Sequence, residues 1–256
     1  MKPHPSSEFL DAVSALMVAT RDFLQQLEII PRQSADADSI LLALISKSIV
    51  LTEAIVLMVK NGFSDEAFGL CRTCVEIGLT IRYLTNKDTV QRSNRYFNYF
   101  AKDKSEWSRL TRKYYPDQYN SRLTNTEEIE RLAAAYKSPH KWHECPNGLK
   151  DLASEVDMHE KRDDGSPLDQ LFDYEVIYKS MSHYVHGTIP SIDPAHLTLP
   201  GDRFVVRPQS GYSMHGSDAL RTSLLNVHLN IYRVMRYFNM NVSDQLETQF
   251  VEVENN

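Results

Sequence analysis

The chain has 256 residues, 42% of them hydrophobic and 24% charged, with a net charge of −6. This is the composition of a globular protein long enough to bury one sizeable core or two small ones. The acidic balance excludes broad non-specific nucleic-acid binding but leaves room for a local basic site, and the odd set Cys71, Cys74 and Cys145 without a signal peptide is expected of a chain in the reducing cytoplasm.

Glu8–Ile30 repeats apolar residues at helical spacing (Phe9, Leu10, Val13, Leu16, Met17, Phe23, Leu24, Leu27), and Pro31 stops it. Ser34 opens a second helix that runs to about Asn61, with Gly62 behind it as a C-terminal cap. Its apolar run Ile40–Val59 is interrupted by Ser46, Lys47, Ser48, Thr52 and Glu53. It therefore reads as a buried core helix, not a membrane span. The third helix, Ser64–Asn86, begins with a cap signal and is apolar nearly all round except for Arg72, Thr73, Glu76, Thr80 and Arg82. Such a helix sits at the centre of a bundle, and with its predecessor it predicts an antiparallel hairpin.

A fourth helix runs from about Asp88 to Tyr115, with Arg92, Arg95, Tyr96, Tyr99 and Lys102 among Phe97, Phe100 and Trp107. Shorter helices are expected over Thr126–Lys137 and Leu149–Asp157, separated by the loop Ser138–Gly148. Ser166-Pro167 opens a helix that passes through Tyr174, Tyr178, Ser182 and His186 to Gly187. Thr188–Gly216 is non-helical, and within it His196–Leu199 and Arg203–Arg207 are placed to pair as a small β-hairpin. Ser217–Met240 is the last long helix. The expected fold class is all-α: residues 1–240 form a single helical bundle with a long loop, and 241–256 form a frayed acidic C-terminal tail.

Arg72 and Glu76, four apart, share one face of the central helix. In so apolar a helix they are expected to be a buried pair, because unpaired charges there are costly. Tyr178, Ser182 and His186 are again spaced by four and share a face. His186, at the helix end, reads either as a cation favoured by the helix dipole or as a proton carrier in a polar pocket. The polar stripes of the two helices are least costly if they face each other or a shared cleft lined by Arg95 and Tyr96. Arg72, Glu76, Tyr178 and His186 are therefore expected around one pocket suited to an anionic group. Arg221 and His228, seven apart, share a face of the last helix, reading either as catalytic residues or as a core histidine beside Leu224, Ile231 and Met235. The basic-aromatic fourth helix reads as a solvated face or as a surface for nucleic acid. Cys71-Arg-Thr-Cys74 has neither the strand–helix context of a redox motif nor the companion ligands of a zinc site, so it reads as core. Phosphate-loop, Gly-x-Ser-x-Gly and His-Glu-x-x-His motifs are absent, and neither a metal nor a cofactor is expected.

Glu66-Ala67, Leu70, Arg72 and Glu76, then Arg95-Tyr96, then Tyr178 and Ser182-His183-Tyr184-Val185-His186-Gly187 together resemble the domain-of-unknown-function 5677 family of bacterial helical proteins, over roughly Ile40 to Gly187. More loosely, the chain is similar to HEPN-like helical domains. Many of these are metal-independent ribonucleases of toxin and phage-defence systems that join two Arg-x(4–6)-His motifs across a dimer. Arg221 and His228 fit that spacing, although Thr222 stands where a more polar residue is usual. That resemblance implies a homodimer acting on RNA, with His228 as acid/base and Arg221 stabilising the phosphorane. The other reading is a non-catalytic helical module that binds a small anion or a protein, with no membrane partner.

Overall fold

The computed structural model describes residues 5–27, 29, 35–116, 126–136, 142, 143, 145, 148–159, 170–185, 197–198, 205–206 and 214–254. The protein is all-α. In chain order the elements are α1 (Ser7–Gln26), α2 (Ala35–Lys60), α3 (Ser64–Asn86), α4 (Thr89–Tyr114), α5 (Thr126–Ala135), α6 (Leu149–His159), α7 (Gln170–Phe172), a π-helical turn (Asp173–Tyr178), α8 (Lys179–Val185), α9 (Met214–Tyr237) and α10 (Asp244–Glu254). The expected hairpin is present as two-residue strands, β1 (Leu197–Thr198) and β2 (Val205–Val206), paired antiparallel with Leu197 opposite Val206.

α3 is the axis of the bundle. Its buried residues include Ala67, Phe68, Cys71, Cys74, Val75, Ile77, Leu79, Ile81 and Leu84, which point in every direction around the helix. It packs against α2, α4, α6, α8 and α9. Each fully buried Leu or Ile stabilises the fold by about 1.5–3 kcal/mol, so an all-round apolar helix is most stable at the centre. The closest neighbour is α9: a Cβ at Gly78 would stand 2.4 Å from Asn226 Oδ1, so glycine there makes room for the Asn226 side chain of α9. Ser64 is not the cap its position suggests. It is fully buried, and Phe63 holds the N-cap position without a side-chain hydrogen bond. Ser64 is buried because α9 begins beside it, where a Cβ at Gly216 would stand 2.7 Å from Ser64 Oγ. His215 Nδ1 meets the buried Asp65 carboxylate at 2.8 Å and its ring stacks on Phe68 at 5.0 Å, tying the starts of α3 and α9 together.

α2 and α3 form the expected antiparallel hairpin. Gly62 takes the left-handed conformation (φ 81°) that ends α2, and the Phe63 N–H closes on Met58 O at 2.9 Å. α2 has the length and apolarity of a membrane span, but half of its most apolar window is buried inside the bundle. Its polar interruptions cost little, because buried Ser48 and Thr52 donate to Ile45 O and Ser48 O of their own helix, at 2.8 and 3.0 Å. α1 lies along α2, fastened by Lys60–Asp11 at 2.8 Å and by Arg21–Glu53.

As far as Glu254, the C-terminal segment is not the frayed acidic tail the sequence suggested. α10 is a helix against α1 and α9, with Leu246 and Val253 buried and Phe250 completely so. Val242, Leu246, Phe250 and Val253 recur at helical spacing among Glu247, Glu252 and Glu254, an amphipathic pattern masked by its acidity. Phe250→Ala is therefore expected to cost about 3–5 kcal/mol in urea unfolding; a frayed tail would show no change.

Candidate functional site

Asp157 and Glu175 set the entry to the site. Asp157 on α6 accepts the backbone N–H groups of Gln170 and Leu171 at 2.9 and 2.8 Å, fixing where α7 begins. Lys150 on α6 binds Glu175 at 2.8 Å, and Lys179 holds the same carboxylate from the other side. Between these anchors the backbone widens into the π-helical turn. Such turns are rare and costly, and they change the direction of the side chains that follow. Here Tyr174 and Tyr178 stack on each other, with ring centroids 5.0 Å apart, and Tyr178 is delivered onto the middle of α3.

There three side chains meet. Arg72 Nη2 donates to the Tyr178 phenol oxygen at 2.6 Å, and the phenol donates to Glu76 Oε1 at 2.5 Å. Arg72 Nη2 also lies 3.3 Å from that carboxylate oxygen. The guanidinium carbon stands 4.7 Å from the Tyr178 ring centroid. Burial first, then the hydrogen bond to Glu76, pushes the Tyr178 phenol well above its ordinary range. For Arg72 burial acts downward, but Tyr178 and Glu76 more than reverse it, so its pKa is raised. Both groups keep their protons throughout the neutral range.

The pair is not buried as the sequence suggested: the side chains of Arg72 and Glu76 are 22% and 35% exposed, while Tyr178 is only 6% exposed. α8 packs on α3 beside them, and both charged groups keep part of their surface open. Ser182 does not join them, since its hydroxyl proton is committed to Tyr178 O at 2.9 Å within its own helix. His186 lies outside the described residues.

Arg95 and Tyr96 do not line this site. They gather at the other end of α3, around Tyr83, eleven residues or about 16 Å further along the helix than Arg72. Trp142 packs edge-on to both Tyr83 and Tyr96, with ring centroids at 5.5 and 4.8 Å. Tyr83 donates to His143 O at 2.8 Å. Arg92, nearly fully buried, lies 3.6 Å over the Tyr83 ring, donates to Tyr83 O and pairs with Glu155, which also holds Lys87 at 3.2 Å. A pocket of about 520 Å³ opens here, lined by Tyr83, Lys87, Arg92, Arg95, His143 and Glu155 among others. Burial pushes the Glu155 carboxyl up, but Lys87 and Arg92 outweigh it and hold it below the usual range. Burial also raises the Tyr83 phenol to about 12. Nothing in the sequence spacing linked residues 83, 92, 143 and 155.

On α9, Arg221 is exposed, and His228 is half-buried with its ring stacked flat on Phe250 at 4.5 Å. Cys71, Cys74 and Cys145 are all buried. Burial and then the hydrogen bond to Cys74 push the Cys71 thiol well above its ordinary value, so it is no thiolate nucleophile. Among the described residues no cluster of His, Cys, Asp or Glu is arranged to hold a metal ion.

An all-α bundle with one partly open Arg–Tyr–Glu cluster on its central helix is thus the class of protein that the fold and the site define. Residues 38–204 match a family of unknown function, DUF5677, and the chain belongs to that family. Neither a curated protein nor a solved structure matches the chain. The matched span contains Arg72, Glu76 and Tyr178 and stops before α9, which carries Arg221 and His228.

Two measurements follow. Tyr178→Phe removes the bridge while leaving Arg72 and Glu76 within reach of each other. It is expected to cost about 1.5 kcal/mol in urea unfolding, the low end for a hydrogen bond to charged groups, because the cluster is partly wet. The second is a pH dependence. With its folded pKa lowered, Glu155 contributes stability that is fully present above its unfolded value of about 4.3 and is lost as the pH falls through its lower folded value. Glu155→Gln should cost about 3 kcal/mol at neutral pH, since Arg92 loses its carboxylate, and the difference from the parent should shrink below about pH 4.

Proposed function

We propose that the protein is a non-catalytic helical module that binds a small anionic ligand at the Arg72–Glu76–Tyr178 cluster. One observation carries this reading: Tyr178 holds Arg72 and Glu76 side by side on the central helix with both charged groups still open to solvent. A guanidinium fixed in advance loses little freedom on binding an anion. Glu76 beside it suits an O–H or N–H next to that anionic group. The ligand class is therefore an anion carrying its own hydrogen-bond donor, as a hydrogen phosphate or a hydroxy acid does. The cluster is better suited to binding than to proton transfer, because Arg72 and Tyr178 both stay protonated near neutral pH.

The second reading is a HEPN-like metal-independent ribonuclease, acting as a cytoplasmic homodimer on RNA through Arg221 and His228. The exposure of Arg221 and the partial exposure of His228 on α9 favour it. The stacking of His228 on Phe250 and the position of both residues outside the family-matched span weigh against it.

Titration calorimetry of the full chain with inorganic phosphate tests the first reading. Binding in roughly the millimolar range is expected, weakened about tenfold (1.4 kcal/mol) by Arg72→Gln at unchanged helicity. Equal binding by parent and variant, or none by the parent, contradicts it. Degradation of total RNA on expression, abolished by His228→Ala, would establish the second reading instead.

A further inference from the structure

We propose that the outer face of α4 is a docking surface for single-stranded nucleic acid, independent of the Arg72 cluster. α4 runs 26 residues, and beyond its first turns it packs mainly on α5. Ala101 and Ser108 are buried along one side of it. A third of a turn away lies a line of uncovered aromatic rings: Phe100, Trp107 and Tyr114, at seven-residue spacing, are 52%, 75% and 62% exposed, with Phe97 at 44% beside them. Scattered exposed apolar residues are ordinary, but a straight aromatic row with a tryptophan three-quarters in water is a recognition surface.

The charges select the occupant. Phe97–Tyr114 holds five lysines and arginines against two acids, Asp103 and Glu106, a local net charge of +3 on a chain whose total is −6. Two of the cations sit on the aromatic row itself: Lys104 Nζ lies 4.7 Å over the Phe100 ring and Lys113 Nζ 5.0 Å from the Tyr114 ring centroid. A second copy of this helix would bring the same positive charge against it, whereas a polyanion would be attracted. Among polyanions, a single strand offers both what the rings need and what the lysines need. Its unpaired bases have flat faces for stacking, and its phosphates pass beside the ammonium groups. The rings are about 10 Å apart along the helix, which leaves room for a nucleotide between successive stacked bases. A duplex keeps its bases stacked on one another and meets only the charges.

Fluorescence anisotropy of the full chain with a labelled 15-nucleotide oligouridylate at low salt tests this. The proposal expects saturable binding that weakens about tenfold in Trp107→Ala, a loss in line with the removal of one base-stacking ring. In Lys104→Ala with Lys113→Ala the slope of log K against log salt should fall by about 1.4, the loss of two phosphate contacts to a single strand. Both variants change exposed side chains only, and Arg72→Gln should leave this binding unchanged. No anisotropy change in the parent, equal binding by Trp107→Ala, or equal affinity for a 15-base-pair duplex would each overturn the proposal. So would a concentration-dependent dimer in sedimentation that Trp107→Ala disperses without any oligonucleotide binding, since the row would then be the contact between two copies.

Discussion

The burial of α3 on nearly every side is the constraint on which the rest of the structure depends. A helix with apolar residues all round must be enclosed, and each polar side chain it carries must then find a partner or an opening. Thr80 donates to Glu76 O of its own helix at 2.8 Å, and Thr85 meets Arg233 of α9 at 2.8 Å. Tyr83 reaches His143 O and carries Arg92 on its ring. Arg82 is only 6% exposed, and its charge, after burial itself, helps to bring the Arg233 pKa down to about 10. Arg72 and Glu76 find Tyr178. Long-range contacts of the bundle are thus organised as answers to the polar groups of one helix.

The two ends of α3 answer differently. Around Tyr83 the cation itself is enclosed: Arg92 is nearly fully buried and bound to both a carbonyl and a carboxylate, an arrangement that holds α4 and α6 to the core, while Glu155 and Lys87 stay on the wall of the pocket that opens there. Around Arg72 it is open: the phenol is buried, while the two charges it bridges are not. A closed charge cluster fixes packing, whereas an open, pre-positioned one offers affinity to something outside the chain. The partial exposure of both bridged charges is why the ligand-binding proposal falls on that end of the helix.

The extent of α3 was legible to within a residue in the sequence, because an apolar run between a polar start and Asn86 leaves little choice, although Ser64 turned out to be its first residue and not its cap. The meeting of Arg72, Glu76 and Tyr178 was legible too, since helical spacing put polar groups on one face of two apolar helices that had to share a core. Their partial exposure was not, because the π-helical turn that brings in Tyr178 depends on Asp157 and Lys150 anchoring it from α6, contacts without a sequence period. Arg95 was misplaced for a related reason: helical spacing tells which face a residue occupies, not how far along a neighbouring helix that face is met. α10 was missed because its acidic residues hid an apolar face of only four positions.

The central claim is that Tyr178 couples Arg72 to the helix that follows the π turn, as a pre-positioned unit and not as a chance surface contact. A double-mutant cycle between Arg72→Gln and Tyr178→Phe, measured by urea unfolding, tests this most directly. The account predicts a coupling energy of about 1 kcal/mol or more between the two sites. Additive losses, with a coupling indistinguishable from zero, would contradict it.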